Sequence, residues 1–159
     1  MNTCNHSAPR WMPVILAGLS LLMGVGVGTA GPVKVSLAQK LVAEAMAAHP
    51  QLTEVGISIL SAHGCHSIAS TDAGDVGERC ESGDLRVMRT NRPYAVKERD
   101  GFDVSLPLHD ASGKLIGSLA MEFRLKTGET KRSVIAEANK VAHEIETQIP
   151  SKASLSERK

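Results

Sequence analysis

Residues 102–125 read FDVSLPLHDASGKLIGSLAMEFRL, two alternating segments on either side of Asp110, Ser112 and Gly113. Successive side chains of a strand point to opposite faces, so Phe102, Val104, Leu106 and Leu108 share one face of a first strand. Leu115, Leu119, Met121 and Phe123 likewise share one face of a second. Asp and Ser can hydrogen-bond their own backbone in a turn and Gly tolerates positive φ, so the chain can reverse there and return antiparallel. The stretch predicts a long β-hairpin with one buried face, which is half of a sheet.

Downstream of the hairpin, Val134, Ile135, Ala138, Val141, Ala142, Ile145 and Ile149 recur at helical spacing, which predicts a helix over 130–148 ended by Pro150. The last residues, SKASLSERK, are polar, and 151–159 is expected to be a disordered tail. Upstream, 94–98 reads as a strand leading through Asp100 and Gly101 into the hairpin. Residues 70–91 are irregular and polar, punctuated by Asp72, Gly74, Asp75, Gly77 and Gly83, with a short helix expected over 83–90. Within that segment Asp72 is read as capping a turn, Asp75 as capping a short helix, and Gly77 as permitting a tight backbone. Before it, Val55, Ile57 and Ile59 alternate in a strand over 55–60, and a partner over 65–69 completes a first hairpin through Ala62, His63 and Gly64. An amphipathic helix over 37–48, capped by Ser36 and stopped by Pro50, opens the domain with Leu37, Leu41, Val42 and Ala45 as its buried stripe. The order gives an α+β fold, a five-stranded antiparallel sheet with flanking N- and C-terminal helices.

At the N-terminus Arg10 precedes the apolar run PVILAGLSLLMGVGVG, and the small residues Gly28, Thr29 and Ala30 follow. The run is shorter than the roughly 20 residues that span a bilayer and is loosened by glycines, so 1–30 is read as a signal peptide cut after Ala30. The alternative is an uncleaved N-terminal anchor. Removing that segment takes Arg10 with it and leaves 17 basic against 17 acidic residues. A neutral chain with no basic patch argues against nucleic acid, and no second apolar run argues for a membrane span after cleavage. The localisation expected is periplasmic or secreted, for one domain over 31–150.

Export also suits the two cysteines that remain, Cys65 and Cys80, which are expected to pair in an oxidising compartment. The competing reading takes His63, Cys65, His66 and Cys80 as a metal or haem site. His63 and His66 lack the helical spacing of a standard motif, and the run AHGCHS lacks the first Cys of C-x-x-C-H. No metal and no cofactor is therefore assigned.

Two segments resemble a known family. IASTDAGDVGERC (68–80) is similar to the I-A-S-T-D-P-x-D-x-G segment of Cache domains, the extracytoplasmic PAS-like sensors, and VSLPLHDASGKLIGSLAMEF (104–123) looks like their closing hairpin. The resemblance spans about 55–125 and implies a small-molecule sensor domain without its own output module. A partner such as a membrane receptor would then read its state, and an accessory subunit of such a receptor is a further possibility.

A concavity between the sheet and the 70–91 insert is the expected ligand site. The insert supplies Arg79, Arg86, Arg89 and Arg92, whose planar forks suit carboxylates, so an anionic metabolite is the expected ligand. Arg89 and Tyr94 flank the entrance to the central strand, where Cache domains commonly place ligand contacts, and Arg86 is a further candidate. Ser118 interrupts the apolar hairpin opposite Leu119 and could supply a hydroxyl. Catalysis is not expected. There is no G-x-S-x-G, H-E-x-x-H, phosphate loop or G-x-G-x-x-G, and Asp103 and His109 stand about 20 Å apart along one strand.

Overall fold

The computed structural model describes residues 34–124 and 126–158; the apolar run read as a signal peptide lies outside them. The elements are α1 (Leu37–Ala48), β1 (Leu52–Ser61), β2 (Gly64–Ser70), α2 (Ser82–Thr90), β3 (Tyr94–Lys97), β4 (Gly101–His109), β5 (Leu115–Arg124) and α3 (Lys131–Glu146), followed by a short 3-10 turn (Ala153–Ser156). All strand pairs are antiparallel, in the order β2-β1-β5-β4-β3. The central hairpin thus receives β1 on one side and β3 on the other. Its turn is fixed by Asp110, whose carboxylate accepts the Ser112 hydroxyl at 2.6 Å and the amides of Ser112 and Lys114, while Gly113 takes φ +82°. The Ser112 hydroxyl, ahead of the two amides, holds the Asp110 carboxyl below its ordinary range.

Strand alternation divides the sheet into two unlike faces. One carries Val55, Ile57, Val104, Leu106, Leu108, Leu119, Met121 and Phe123, and all eight are buried in a single core with α1 and α3. Leu41 and Val42 of α1 and Val134, Ala138, Val141 and Ile145 of α3 close that core, so the apolar stripes of both helices lie where their spacing puts them. Ser36 caps α1 by accepting the Gln39 amide, and Thr130 caps α3 by accepting that of Ser133. The other face carries Glu54, Gly56 and Ser58 of β1, Asp103 and Ser105 of β4, and Ala120 of β5, and it bears the cleft described below.

Three expectations change. Opposite the Leu108/His109 step the register shifts, so that Leu108 pairs with Gly117 and His109 with Leu115, leaving Ile116 as an extra residue. Such a bulge reverses the alternation beyond it: Ile116 is buried in the core and Leu115, expected there, is half-buried. Asp75 caps no helix; its amide bonds the Asp72 carbonyl and its carboxylate accepts the Ser70 hydroxyl, in an irregular segment. Asp72 does cap a turn, accepting the Gly74 amide at 2.8 Å. Finally, the segment expected as a disordered tail is ordered against the domain. Leu155 is fully buried in the core, the Glu157 carbonyl accepts the Leu37 amide, and Arg158 bridges Ser36. One apolar side chain among polar ones suffices to dock it, because that side chain fills the end of the core beside α1.

Candidate functional site: an acidic cleft beneath α2

The insert is held down at both ends. Cys65 and Cys80 form a disulfide with Cα atoms 5.3 Å apart, and the 77–80 backbone runs beside β2 through Gly77 N–H to Ser67, Ser67 N–H to Glu78 and Cys80 N–H to Cys65. The disulfide leaves no thiolate for the metal or haem reading of His63, Cys65, His66 and Cys80. No metal-competent group of His, Cys, Asp and Glu occurs among the described residues.

Beyond Cys80 the chain enters α2, where Glu81 and Asp84 form a reciprocal cap and the helix ends at Asn91 with φ +50°. Gly83, Asp84 and Val87 make its buried face. A Cβ at position 83 would come within 2.5 Å of the Ser105 hydroxyl, so glycine is what lets the first turn descend onto β4. Asp84 pins that turn: the Ser118 hydroxyl donates to it at 2.8 Å, and the Ser58 hydroxyl lies 3.5 Å away. Ser118→Ala removes a buried hydrogen bond to a carboxylate and is expected to cost about 1.5–3 kcal/mol by chemical denaturation. A neutral result would mean that α2 is held by its apolar contacts alone.

Between α2, the insert and the sheet lies an open cleft of about 110 Å³. Its floor is built of the small residues Gly56, Ser58, Ser105 and Ala120, and its walls carry Glu54, Asp75, Glu78, Glu81, Asp84 and Asp103 with Arg79 at the rim. The chain therefore supplies six carboxylates and one guanidinium to one small volume. Burial is the first reason that the Glu54 carboxyl is raised to about 7, reinforced by a hydrogen bond to Asp75 and by the charges of Asp75, Glu122 and Asp72. Burial, then the charges of Glu81, Glu122, Glu98 and Asp84, raises Asp103 to about 6. Both carboxyls start from lower ordinary values, 4.5 and 3.8, so folding favours their protonated forms. Their contribution to stability is full below those ordinary values and is lost as pH rises through 6 to 7. Acidification from pH 8 to pH 5 should thus raise the part of the melting temperature that these two groups control. Glu54→Gln should flatten that rise in scanning calorimetry, and an unchanged slope would contradict it.

The four residues expected to contact a ligand do not line this cleft. Arg86 and Arg89 are exposed, because each sits two positions, about 200° of helix rotation, beyond a residue of the buried face of α2. Arg86 instead stacks on the Tyr94 ring with 4.5 Å to its centroid, which occupies the ring that was to greet a ligand. Ser118 is fully buried and engaged by Asp84. Arg92 is also exposed, so of the four arginines only Arg79 reaches the lining. An arginine-lined anion site is not what these side chains build. The lining residues of the sheet were nevertheless visible in the sequence as off-phase positions of the strands, E-x-G-x-S at 54–58, D-x-S at 103–105 and Ala120 between Leu119 and Met121. Small residues there, where a solvent face commonly carries long polar ones, were the available signal.

His109, on the same strand as Asp103, links two other elements. Its Nδ1 lies 2.9 Å from the Glu146 carboxylate on α3 and its Nε2 lies 2.9 Å from the Asn91 side-chain oxygen at the end of α2, while the Glu146 carboxylate also accepts its backbone amide. The side chain joins the cover of the cleft to the terminal helix.

No protein-family model matches the chain, and no curated protein does. Solved structures do. The chain is similar to a proposed GAF sensor protein from Burkholderia vietnamiensis, with 12% identity and a TM-score of 0.52 over 74% of this chain and 76% of that one. A GAF domain of phosphoenolpyruvate-protein phosphotransferase from Acinetobacter aligns at 14% identity and a TM-score of 0.49, over 70% of this chain and 81% of its own. The first likeness shows the fold, an α+β, GAF- and PAS-like open sheet.

Proposed function

We propose that the chain carries an exported sensor domain of the Cache and PAS-like kind, which binds a small molecule beneath α2 without turning it over. The observation that carries this reading is the cleft itself: a floor of Gly56, Ser58, Ser105 and Ala120 roofed by a helix and by an insert tied down at Cys80. Side chains this small on the central strands of a sheet leave room that a purely structural domain would fill. The fold likeness to a proposed GAF sensor supports the same reading, and the IASTDAGDVGERC and VSLPLHDASGKLIGSLAMEF segments support its Cache-like form.

Output follows from the connections of α2. A ligand that draws α2 toward the sheet shifts the Asn91–His109–Glu146 chain and so biases the position of α3, a population shift that a partner protein such as a membrane receptor reads. Amide NMR with a library of small fragments tests the binding step: saturable shifts should centre on 56–58, 103–105 and α2. Shifts elsewhere, or none, would refute it. Export is tested by intact mass of the periplasmic fraction, where the chain should begin at Gly31; a full-length membrane-bound species would mean an anchor.

A further inference from the structure

The helix α2 lies between two unlike hollows. At its N-terminal end Glu81 and Asp84 of α2, Ser58 of β1 and Ala120 of β5 line the acidic cleft. Further along the same three elements, past the Ser118–Asp84 hydrogen bond, Met88, Leu60 and Gly117 line a second groove, and the two linings share no residue. With about 500 Å³ the groove falls in the range of small-molecule sites, roughly 300–1,000 Å³. Its surface is apolar where the strands end. Leu60 is 58% exposed although the other large apolar side chains of β1 are buried or packed on the core, and Met88 and Leu115 are half-buried. One exposed leucine is ordinary, whereas three apolar side chains gathered around one hollow are a surface that a ligand's carbon chain can cover.

The charges around this groove have the opposite balance to those of the cleft. Lys114, from the turn of the central hairpin, and Lys152, from the C-terminal segment, both line it, and neither is ion-paired among the described residues. The Lys152 ammonium donates to the Leu60 carbonyl, which holds it beside the exposed leucine and leaves two donors for a second acceptor. Asp110 is the one carboxylate of the lining, and it is engaged by the Ser112 hydroxyl and by the amides of Ser112 and Lys114. Two ammoniums against one carboxylate leave a single positive charge, which suits a monoanion.

We infer that the groove is a second binding site, for a small aliphatic monocarboxylate whose hydrocarbon chain lies on Leu60, Met88 and Leu115 and whose carboxylate accepts from Lys114 and Lys152. The site is separate from the cleft of the proposed function and stands or falls without it. Three points select the ligand class. The lining offers no aromatic ring on which a planar body would stack. A carboxylate held by exposed ammoniums alone gains little, so the chain supplies most of the affinity and the lysines the choice of head group. A membrane surface would need the apolar side chains to protrude, whereas here they line a hollow between α2, the sheet and the C-terminal segment. Occupancy also bears on the fold. A carboxylate shared by Lys114 and Lys152 ties the hairpin turn to the C-terminal segment, whose Glu157 carbonyl accepts the Leu37 amide at the start of α1. The ligand should therefore slow hydrogen exchange of that amide.

The test titrates the full mature chain, followed by amide NMR at neutral pH, with octanoate, hexanoate, octanol, octylammonium and phosphatidylglycerol vesicles, the free amphiphiles kept below their micelle concentrations. Octanoate is expected to shift the amides of Leu60, Met88, Leu115 and Lys152 saturably and to slow exchange at Leu37. Hexanoate and octanol should each bind about fivefold or more weakly, the first for lost methylene burial and the second for lost charge, and octylammonium more weakly still. Lys114→Gln combined with Lys152→Gln keeps a donor for the Leu60 carbonyl and should bring octanoate down to the affinity of octanol, with octanol unchanged. Octanol or octylammonium binding as tightly as octanoate would overturn the inference. Vesicle binding without saturable binding of free octanoate would make this face a membrane contact and overturn it too. No response at the groove overturns it while leaving the cleft, read at 56–58 and 103–105, untouched. Should the double variant fail to fold, Lys114→Gln alone, on an exposed turn, and the octanoate-to-octanol ratio of the unaltered protein decide the matter.

Discussion

Unfolding of the reduced protein, or of the paired substitution Cys65→Ser with Cys80→Ser, is expected at a stability about 2–5 kcal/mol lower than that of the oxidised chain. The two residues are 15 apart in sequence, and closing a loop of that length removes unfolded-chain entropy worth about 3 kcal/mol in the simple chain model. In a domain of this size that is a large fraction of a typical total. The bridge also has a local role, since it joins the irregular 71–80 segment to β2, where few apolar side chains hold it otherwise. Hydrogen exchange should show 71–80 losing protection first on reduction, with the β1–β5–β4 centre last. Equal denaturation midpoints with and without reductant would contradict both parts.

Leu155→Ala is expected to cost about 2–5 kcal/mol, the range for emptying a fully buried leucine site. That side chain lies in the core formed by α1 and α3, and the segment around it makes backbone bonds to Leu37 and Ser36 at the start of α1. Deleting 151–159 should cost at least as much, because it also releases the Lys152 side chain from the Leu60 carbonyl. A disordered tail would give a change within about 0.5 kcal/mol for either variant, the range of ordinary surface substitutions. Urea denaturation of the two variants separates the cases.

The strands and helices were legible because one periodicity recurs in them without interruption. The run 102–108 alternates perfectly, and all four of its apolar residues are buried; 37–48 is helical over the expected span, with Ser36 as its cap. Along the central hairpin alternation failed where an extra residue broke it, at Ile116, and further register shifts in β1 put Leu52 and Val55 in the core three residues apart; a bulge leaves no mark in composition. The tail failed for a related reason: a single leucine among polar residues carries no period, so its burial depends on a gap that only the assembled core presents.

By itself the sequence determined the sheet, its covering helices and the turn at Asp110 to Gly113, because local geometry and alternation decide these, while the pairing expected of Cys65 and Cys80 is seen in the assembled fold. The cleft was decided by tertiary structure. Glu54 of β1, Asp75 of the insert, and Asp103 and Ser105 of β4 meet only when the sheet is assembled and α2 is laid over it. Arginine supply in the insert said nothing of direction, and the rotation of α2 about its axis, set by Gly83, Asp84 and Val87 packing inward, turned Arg86 and Arg89 away. Charge is countable along a chain, whereas the sign of a site depends on which side chains one small volume collects, and here that volume collected carboxylates.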